Sequence, residues 1–201
     1  MSKEIRSYQC LDISLRADDG EPKKIVGHAS VFNEEIDLGW FREIVRPGAF
    51  KNSIKEDDVR ALFNHDSNYV IGRNINGTLS MKEDDKGLAV EIVPPDTQWA
   101  RDLMTSIERR DITQMSFAFE VVKEMWTSED DKKDLRELVE VKLWDVSPVT
   151  YPAYDGTDVG VRSHEAWKEE QKRQQPPPEE TVIDEAWKIE LQRKRLELKL
   201  K

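Results

Sequence analysis

A chain of 201 residues, 36% charged and 37% hydrophobic, is long enough for one well-filled core plus an appendage, and no run approaches the roughly 20 apolar residues of a membrane-spanning helix. The net charge of −10 falls wholly within residues 1–162, because residues 163–201 hold nine Lys/Arg against nine Asp/Glu; an acidic body without a basic face argues against nucleic-acid binding and suits a partner with basic segments. The lone cysteine, Cys10, excludes an internal disulfide, no Cys/His cluster offers a zinc site, and residues 1–10 lack the apolar core of a signal peptide, so a soluble cytoplasmic protein without metal or cofactor is expected.

Tyr8 to Arg16 alternates Tyr8, Cys10 and Asp12 with Gln9, Leu11, Ile13 and Leu15, and Lys24 to Phe32 is rich in Val, Ile and Phe. The turn-forming run Asp18-Asp19-Gly20-Glu21-Pro22 between them predicts a β-hairpin. Phe50 to Lys55 has the length of one short helix, and Val59 to Asn64 reads as a strand running up to His65. Thr78 to Met81 and Leu88 to Val93 flank an acidic turn over 82–87, a second hairpin. Asp96 to Arg110 is the one helix predicted for the body: Asp96 or Thr97 can cap it, Trp99, Leu103 and Ile107 with Met104 form an apolar stripe, and Arg109-Arg110 suit its dipole. Thr113 to Trp126 and Leu135 to Val146 form a third hairpin around a charged loop. Strands joined by tight turns with one helix inserted predict an antiparallel barrel or sandwich with peripheral helices.

After Arg162 the composition shifts. Ser163 to Gln175 is polar and helix-prone, Pro176-Pro177-Pro178 stops any helix, and Glu179 to Lys201 starts another. Glu165-Ala166-Trp167-Lys168 recurs as Glu185-Ala186-Trp187-Lys188, and Ile189, Leu196 and Leu200 form a stripe interrupted by Arg193. A stripe of this kind needs a partner surface, so residues 1–162 are expected to form the domain and 163–201 a helical interaction arm.

The alternation in Gln114-Met115-Ser116-Phe117-Ala118-Phe119-Glu120-Val121 puts Met115, Phe117, Phe119 and Val121 on a core face and Ser116 on the other, between a polar and a small neighbour. There an accessible nucleophile could sit. Of three histidines, His164 lies in the polar tail and is expected to be solvated, while His28 sits within a strand, where a hydrogen-bonded histidine is the default. His65 ends the apolar strand Leu62-Phe63-Asn64-His65-Asp66 just before a turn, the usual place for a catalytic side chain. A hydroxyl, an imidazole to take its proton and a carboxylate to orient the imidazole make a serine protease. Ser116 and His65 supply the first two; Asp145, Glu140 and Asp66 are open as the third.

Ordered blocks over roughly residues 25–160 resemble the prohead proteases of tailed bacteriophages, the capsid-maturation serine proteases. They are Gly27-His28-Ala29-Ser30-Val31-Phe32-Asn33, Glu43 with Pro47-Gly48-Ala49-Phe50, Leu62-Phe63-Asn64-His65-Asp66 with Ile71-Gly72-Arg73, Gly87-Leu88, Met115-Ser116-Phe117-Ala118-Phe119, and Leu143-Trp144-Asp145-Val146-Ser147-Pro148-Val149-Thr150-Tyr151-Pro152-Ala153-Tyr154. The resemblance implies His65 as general base, Ser116 as nucleophile and Asp145 as the third member. The family more often has glycine at the position of Ala118 and glutamate at that of Asp145. It also implies a closed antiparallel β-barrel with surrounding helices, similar to herpesvirus assemblins. A Ser-His-His arrangement like theirs would instead recruit His28. Arg109 and Arg110 are candidate oxyanion donors, though arginines at a helix end are ordinarily dipole partners.

The implied activity is that of a serine endopeptidase inside the procapsid, in the host cytoplasm or in a bacterial cytoplasm for a prophage. Its expected substrates are scaffold or the scaffolding segment of the major capsid protein, and the chain itself; self-association is compatible with this, and no nucleic-acid or membrane partner is expected. The alternative is a non-catalytic scaffold that co-assembles with capsid protein through its arm. Retention of both Ser116 and His65 separates the two, since a scaffold has no use for the pair.

Overall fold

The computed structural model describes residues 3–7, 12–17, 20, 22–128, 130–152, 158–174 and 193–195. Its strands are β1 (Glu4–Arg6), β2 (Ser14–Arg16), β3 (Lys24–Val31), β4 (Ile36–Asp37), β5 (Arg42–Val45), β6 (Arg60–Phe63), β7 (Asp66–Arg73), β8 (Leu79–Glu83), β9 (Gly87–Ile92), β10 (Gln114–Thr127) and β11 (Leu135–Val149). The helices are α1 (Ser53–Glu56), α2 (Gln98–Glu108) and α3 (Asp158–Gln174). The chain divides into a unit over residues 1–165 and another over 166–201. Ala153-Tyr154, Tyr8 to Leu11, Pro176 to Pro178 and the stripe of Ile189, Leu196 and Leu200 lie outside the described residues; of the second arm helix only residues 193–195, helical, are described.

The three predicted hairpins are present as β2–β3, β8–β9 and β10–β11, each antiparallel. β2, β3, β9 and β8 form a four-stranded sheet, where β9 enters so close to β3 that a side chain on Gly87 would meet the Ser30 carbonyl at 2.0 Å. The larger sheet runs β1-β10-β11-β5-β4, with β6 also on β11 and β7 on β6.

Neither sheet closes on itself among the described residues, so the expected closed antiparallel barrel gives way to two open sheets, one of them mixed. β5 runs parallel to β11 at Leu135–Leu138, and β6 runs parallel to it at Asp145–Val146. The cause is the length of β11. Its fifteen residues leave one whole edge for two short strands in succession, and α1 with the turn before it spans the gap. There the Val141 amide donates to the Ala49 carbonyl at 3.0 Å and the Leu143 amide to Ser53 Oγ at 2.7 Å, so the edge of β11 stays satisfied between the two strands.

One core lies between the sheets. Ile25, Val31, Leu88, Val90 and Ile92 come from the small sheet, Phe117, Phe119, Leu138, Leu143 and Val146 from the large one, and Phe50 and Ile71 fill between them. Helix α2 lies where it was expected, starting at Thr97, and turns Leu103 and Ile107 into this core with Trp99 and Met104 at its margin; Thr97 makes no side-chain cap.

Candidate active site

The alternation of β10 is realised: Met115, Phe117 and Phe119 are buried in the core, and Ser116 and Ala118 take the opposite face. Directly opposite on β11, Ser147 pairs with Ser116 and Asp145 with Ala118, so all four share that face. The register then slips, because Phe119 pairs with Leu143 and Trp144 is the extra residue of a β-bulge. The bulge lets Leu143 and Val146, three apart, both enter the core while Asp145 stays on the site face and Trp144 is pushed outward, 39% exposed under Lys142.

His65 arrives on a different device. β6 and β7 are joined by the two-residue turn Asn64-His65, since Phe63 pairs with Asp66. Both residues have positive φ, +58 for His65, the backbone of a primed hairpin turn that Asn and His tolerate better than most residues. Asn64 fixes the turn to the end of β11: its amide donates to the Pro148 carbonyl at 3.0 Å, its Nδ2 to Thr150 Oγ1 at 3.1 Å, and the Thr150 amide donates to its Oδ1 at 2.8 Å.

These placements bring the three expected residues into one chain of contacts. His65 Nδ1 lies 2.5 Å from Asp145 Oδ1, and His65 Nε2 lies 2.7 Å from Ser116 Oγ. Asp145 also accepts from Ser147 Oγ at 2.9 Å and from Lys3 Nζ at 2.9 Å. Burial alone would push the Asp145 carboxyl up, but the hydrogen bond and charge of His65, then those of Lys3, hold it below the usual carboxylate range. It is therefore an anion beside the imidazole.

The other candidates stand elsewhere. Glu140 accepts from Asn52 and Asp66 from Asn68, neither within the His65 cluster. His28 is held between Asp12 and Asp84 on the small sheet, so a Ser-His-His arrangement with Ser116 is not formed. Arg109 is exposed and pairs with Asp111. His164 departs from expectation: it is buried, its Nε2 lies 2.6 Å from Asp134 Oδ2, and its ring stacks on Trp126. The helix that carries it starts at Asp158, ahead of the change in composition.

Some neighbours were not foreseen. Ser147 was open to discovery, because Asp145-x-Ser147 on a strand puts both on one face. The segment Lys3 to Arg6 gave no signal, being too short for a period. It pairs with β10 in the register Glu4–Phe119, Ile5–Ala118 and Arg6–Phe117, and the Arg6 carbonyl accepts from Ser116 Oγ at 2.8 Å. Its charges enter a buried cage. Arg6 donates to Glu43 at 2.7 Å and to Glu4 at 2.6 Å, and Arg136 donates to Glu4 and Glu43, each at 2.9 Å.

No curated protein matches the chain. Among solved structures, it is similar to the bacteriophage T4 capsid assembly protease, with 10% identity and a TM-score of 0.45 over 73% of this chain and 96% of that one. The model of the caudovirus prohead serine protease family matches residues 11–172. A match over that span takes in both hairpins of the site, and the chain belongs to the caudovirus prohead serine protease family.

Proposed function

We propose that Ser116 is the nucleophile of this serine peptidase, His65 its general base and Asp145 the carboxylate that orients the base. The observation that carries this reading is the unbroken contact chain Asp145–His65–Ser116, at 2.5 and 2.7 Å, in a member of a serine peptidase family. His65 Nε2 takes the hydroxyl proton as Oγ bonds to the scissile carbonyl carbon, then gives it to the departing amine. Water attacks the resulting ester by the same route, releasing the acid and restoring the serine. Asp145 keeps the Nδ1 proton in place and offsets the charge of the imidazolium.

The substrates proposed are scaffold or the scaffolding segment of the major capsid protein, together with the chain itself, within the procapsid. A polar arm over 163–201 serves in this reading as a tether that raises local concentration inside the assembling shell, to roughly millimolar for a flexible link. The test is co-expression with the capsid protein of the same genome, followed by intact mass of both chains. Shortened capsid protein with the unaltered chain and full-length capsid protein with Ser116→Ala is the expected pair of results; equal shortening by both overturns the assignment.

A further inference from the structure

Ser116 has no exposed surface, although a nucleophile must meet a substrate carbonyl. What covers its strand is the chain's own N-terminus. β1 lies antiparallel on the edge of β10 just past Ser116, as an added peptide strand would. The carbonyl it sets against Oγ, at 2.8 Å, is that of the Arg6–Ser7 peptide bond. A hydroxyl has one proton; given to Arg6, it is not available to His65. Lys3, on the same segment, sits on Asp145. One short segment thus engages two of the three members of the site.

We propose that the edge of β10 beside Ser116 is the peptide groove of this protease, that β1 is its resident occupant, and that Glu43 and Arg136 are its selectivity groups for an extended peptide with an acidic residue and, two positions on, a basic residue before the scissile bond. The inference rests on Ser116 being the nucleophile. Glu43 on β5 and Arg136 on β11 are fully buried, and the side chains of Arg6 and Glu4 reach across the sheet from β1 to pair with them. A peptide displacing β1 meets the same two charges; these keep their bond to each other, and Arg136 keeps Glu124, but a peptide without groups in place of Arg6 and Glu4 forfeits the bonds that β1 makes to both. The reach of the groove is set by the register: with Arg6 at the scissile carbonyl, Glu4 lies two residues before it, opposite Phe119. Turnover is scaled by the fraction of molecules whose β1 is detached, so the folded chain is latent.

Two measurements on the full chain test this. In the first, two internally quenched peptides are compared, one containing Glu-Ile-Arg-Ser and one containing Arg-Ile-Glu-Ser, with Ser116→Ala as the blank. The first should be cut after its arginine with kcat/KM at least about tenfold higher. Equal values overturn the groove while leaving Ser116 in its role. In the second, Ile5→Cys and Ala118→Cys are introduced together with Cys10→Ser. These two positions are directly opposite, about 4.5–5.5 Å apart at Cα, within the span of a disulfide. Labelling of Ser116 by a fluorophosphonate should be at least about tenfold slower oxidised than reduced. Equal labelling overturns β1 as the occupant. A wild-type chain that neither cleaves nor labels overturns the site reading and the groove with it.

Discussion

Ser147 stands opposite Ser116 across the β10–β11 ladder and donates its hydroxyl to Asp145 Oδ1, the oxygen that faces His65. Its hydroxyl is given to Asp145, so its effect on the proposed site passes through that carboxylate. A hydrogen bond to a charged group contributes roughly 1.5–3 kcal/mol, and about 1.4 kcal/mol is tenfold in rate. Ser147→Ala should therefore lower kcat about ten- to a hundredfold with KM little changed. Ser147→Thr, which keeps the oxygen, should recover most of the loss in steady-state assays; a parallel rise in KM would assign Ser147 to substrate binding instead.

Ser116→Ala and His65→Ala should each keep the fold, because neither side chain belongs to the apolar core. Each should reduce peptide hydrolysis by roughly four orders of magnitude or more, and the double variant should be hardly worse than either single one, since members of such a unit are not additive. His28→Ala, on the other sheet, should leave hydrolysis unchanged. Peptide turnover with circular dichroism as the folding check decides among these outcomes.

Glu4, Arg6, Glu43 and Arg136 are each buried, and Arg136 also pairs with Glu124, so removing one member leaves its partners a bond short but not alone. Glu43→Gln should destabilise the protein by about 1–3 kcal/mol. Replacing Glu43 and Arg136 together by leucine and methionine should cost less than the sum of the two single changes. Urea unfolding of the four proteins would show this as a coupling; strict additivity would mean that the charges do not act as a unit.

Acid should find Glu4 and Asp145 late. Burial would raise Glu4, but the hydrogen bonds and charges of Arg136 and Arg6 carry it below its ordinary value, as His65 and Lys3 do for Asp145. A carboxyl lowered on folding contributes stability that is complete above its unfolded pKa, about 4, and is lost as pH falls through the folded value. Stability should thus decline below pH about 4, and Arg136→Met should move the acid midpoint upward. Far-UV circular dichroism against pH measures both.

His164 ties the start of α3 to the body through Asp134 and the Trp126 ring. His164→Ala should cost about 1–3 kcal/mol, from a lost aromatic pair and a buried hydrogen bond. Truncation after Arg162 should incur the same loss, while truncation after Gln174 should not. Melting of the three variants separates a tail that ends the fold from one that merely follows it.

What could be read from the residues was what local chemistry writes. Alternation over Gln114–Val121 and the turn-forming runs placed three hairpins, and an apolar stripe placed α2. Ser116 and His65 could be picked out from the residues as candidates for nucleophile and base, but that His65 contacts Asp145, with Glu140 and Asp66 elsewhere, could not be read without the fold. The bulge at Trp144 that fixes its direction is a property of pairing, invisible in one strand. The parallel docking of β5 and β6 was hidden for the same reason, since it depends on how much of β11 its other neighbours leave free. His164 was misjudged because composition is an average: a polar helix can still turn one ring inward.

Asp145 lies on the last strand of the body, 80 residues after His65, and β6, which carries the histidine turn, has its other neighbour on that same strand. During synthesis, Ser116 and His65, the proposed nucleophile and base, therefore leave the ribosome before the edge that brings them together exists. Until residues 135–149 have emerged and paired, the chain holds a serine and an imidazole with nothing to hold them in reach. Under the proposed roles, the order of translation sets the assembly of the site at the end of folding, after β11 has paired.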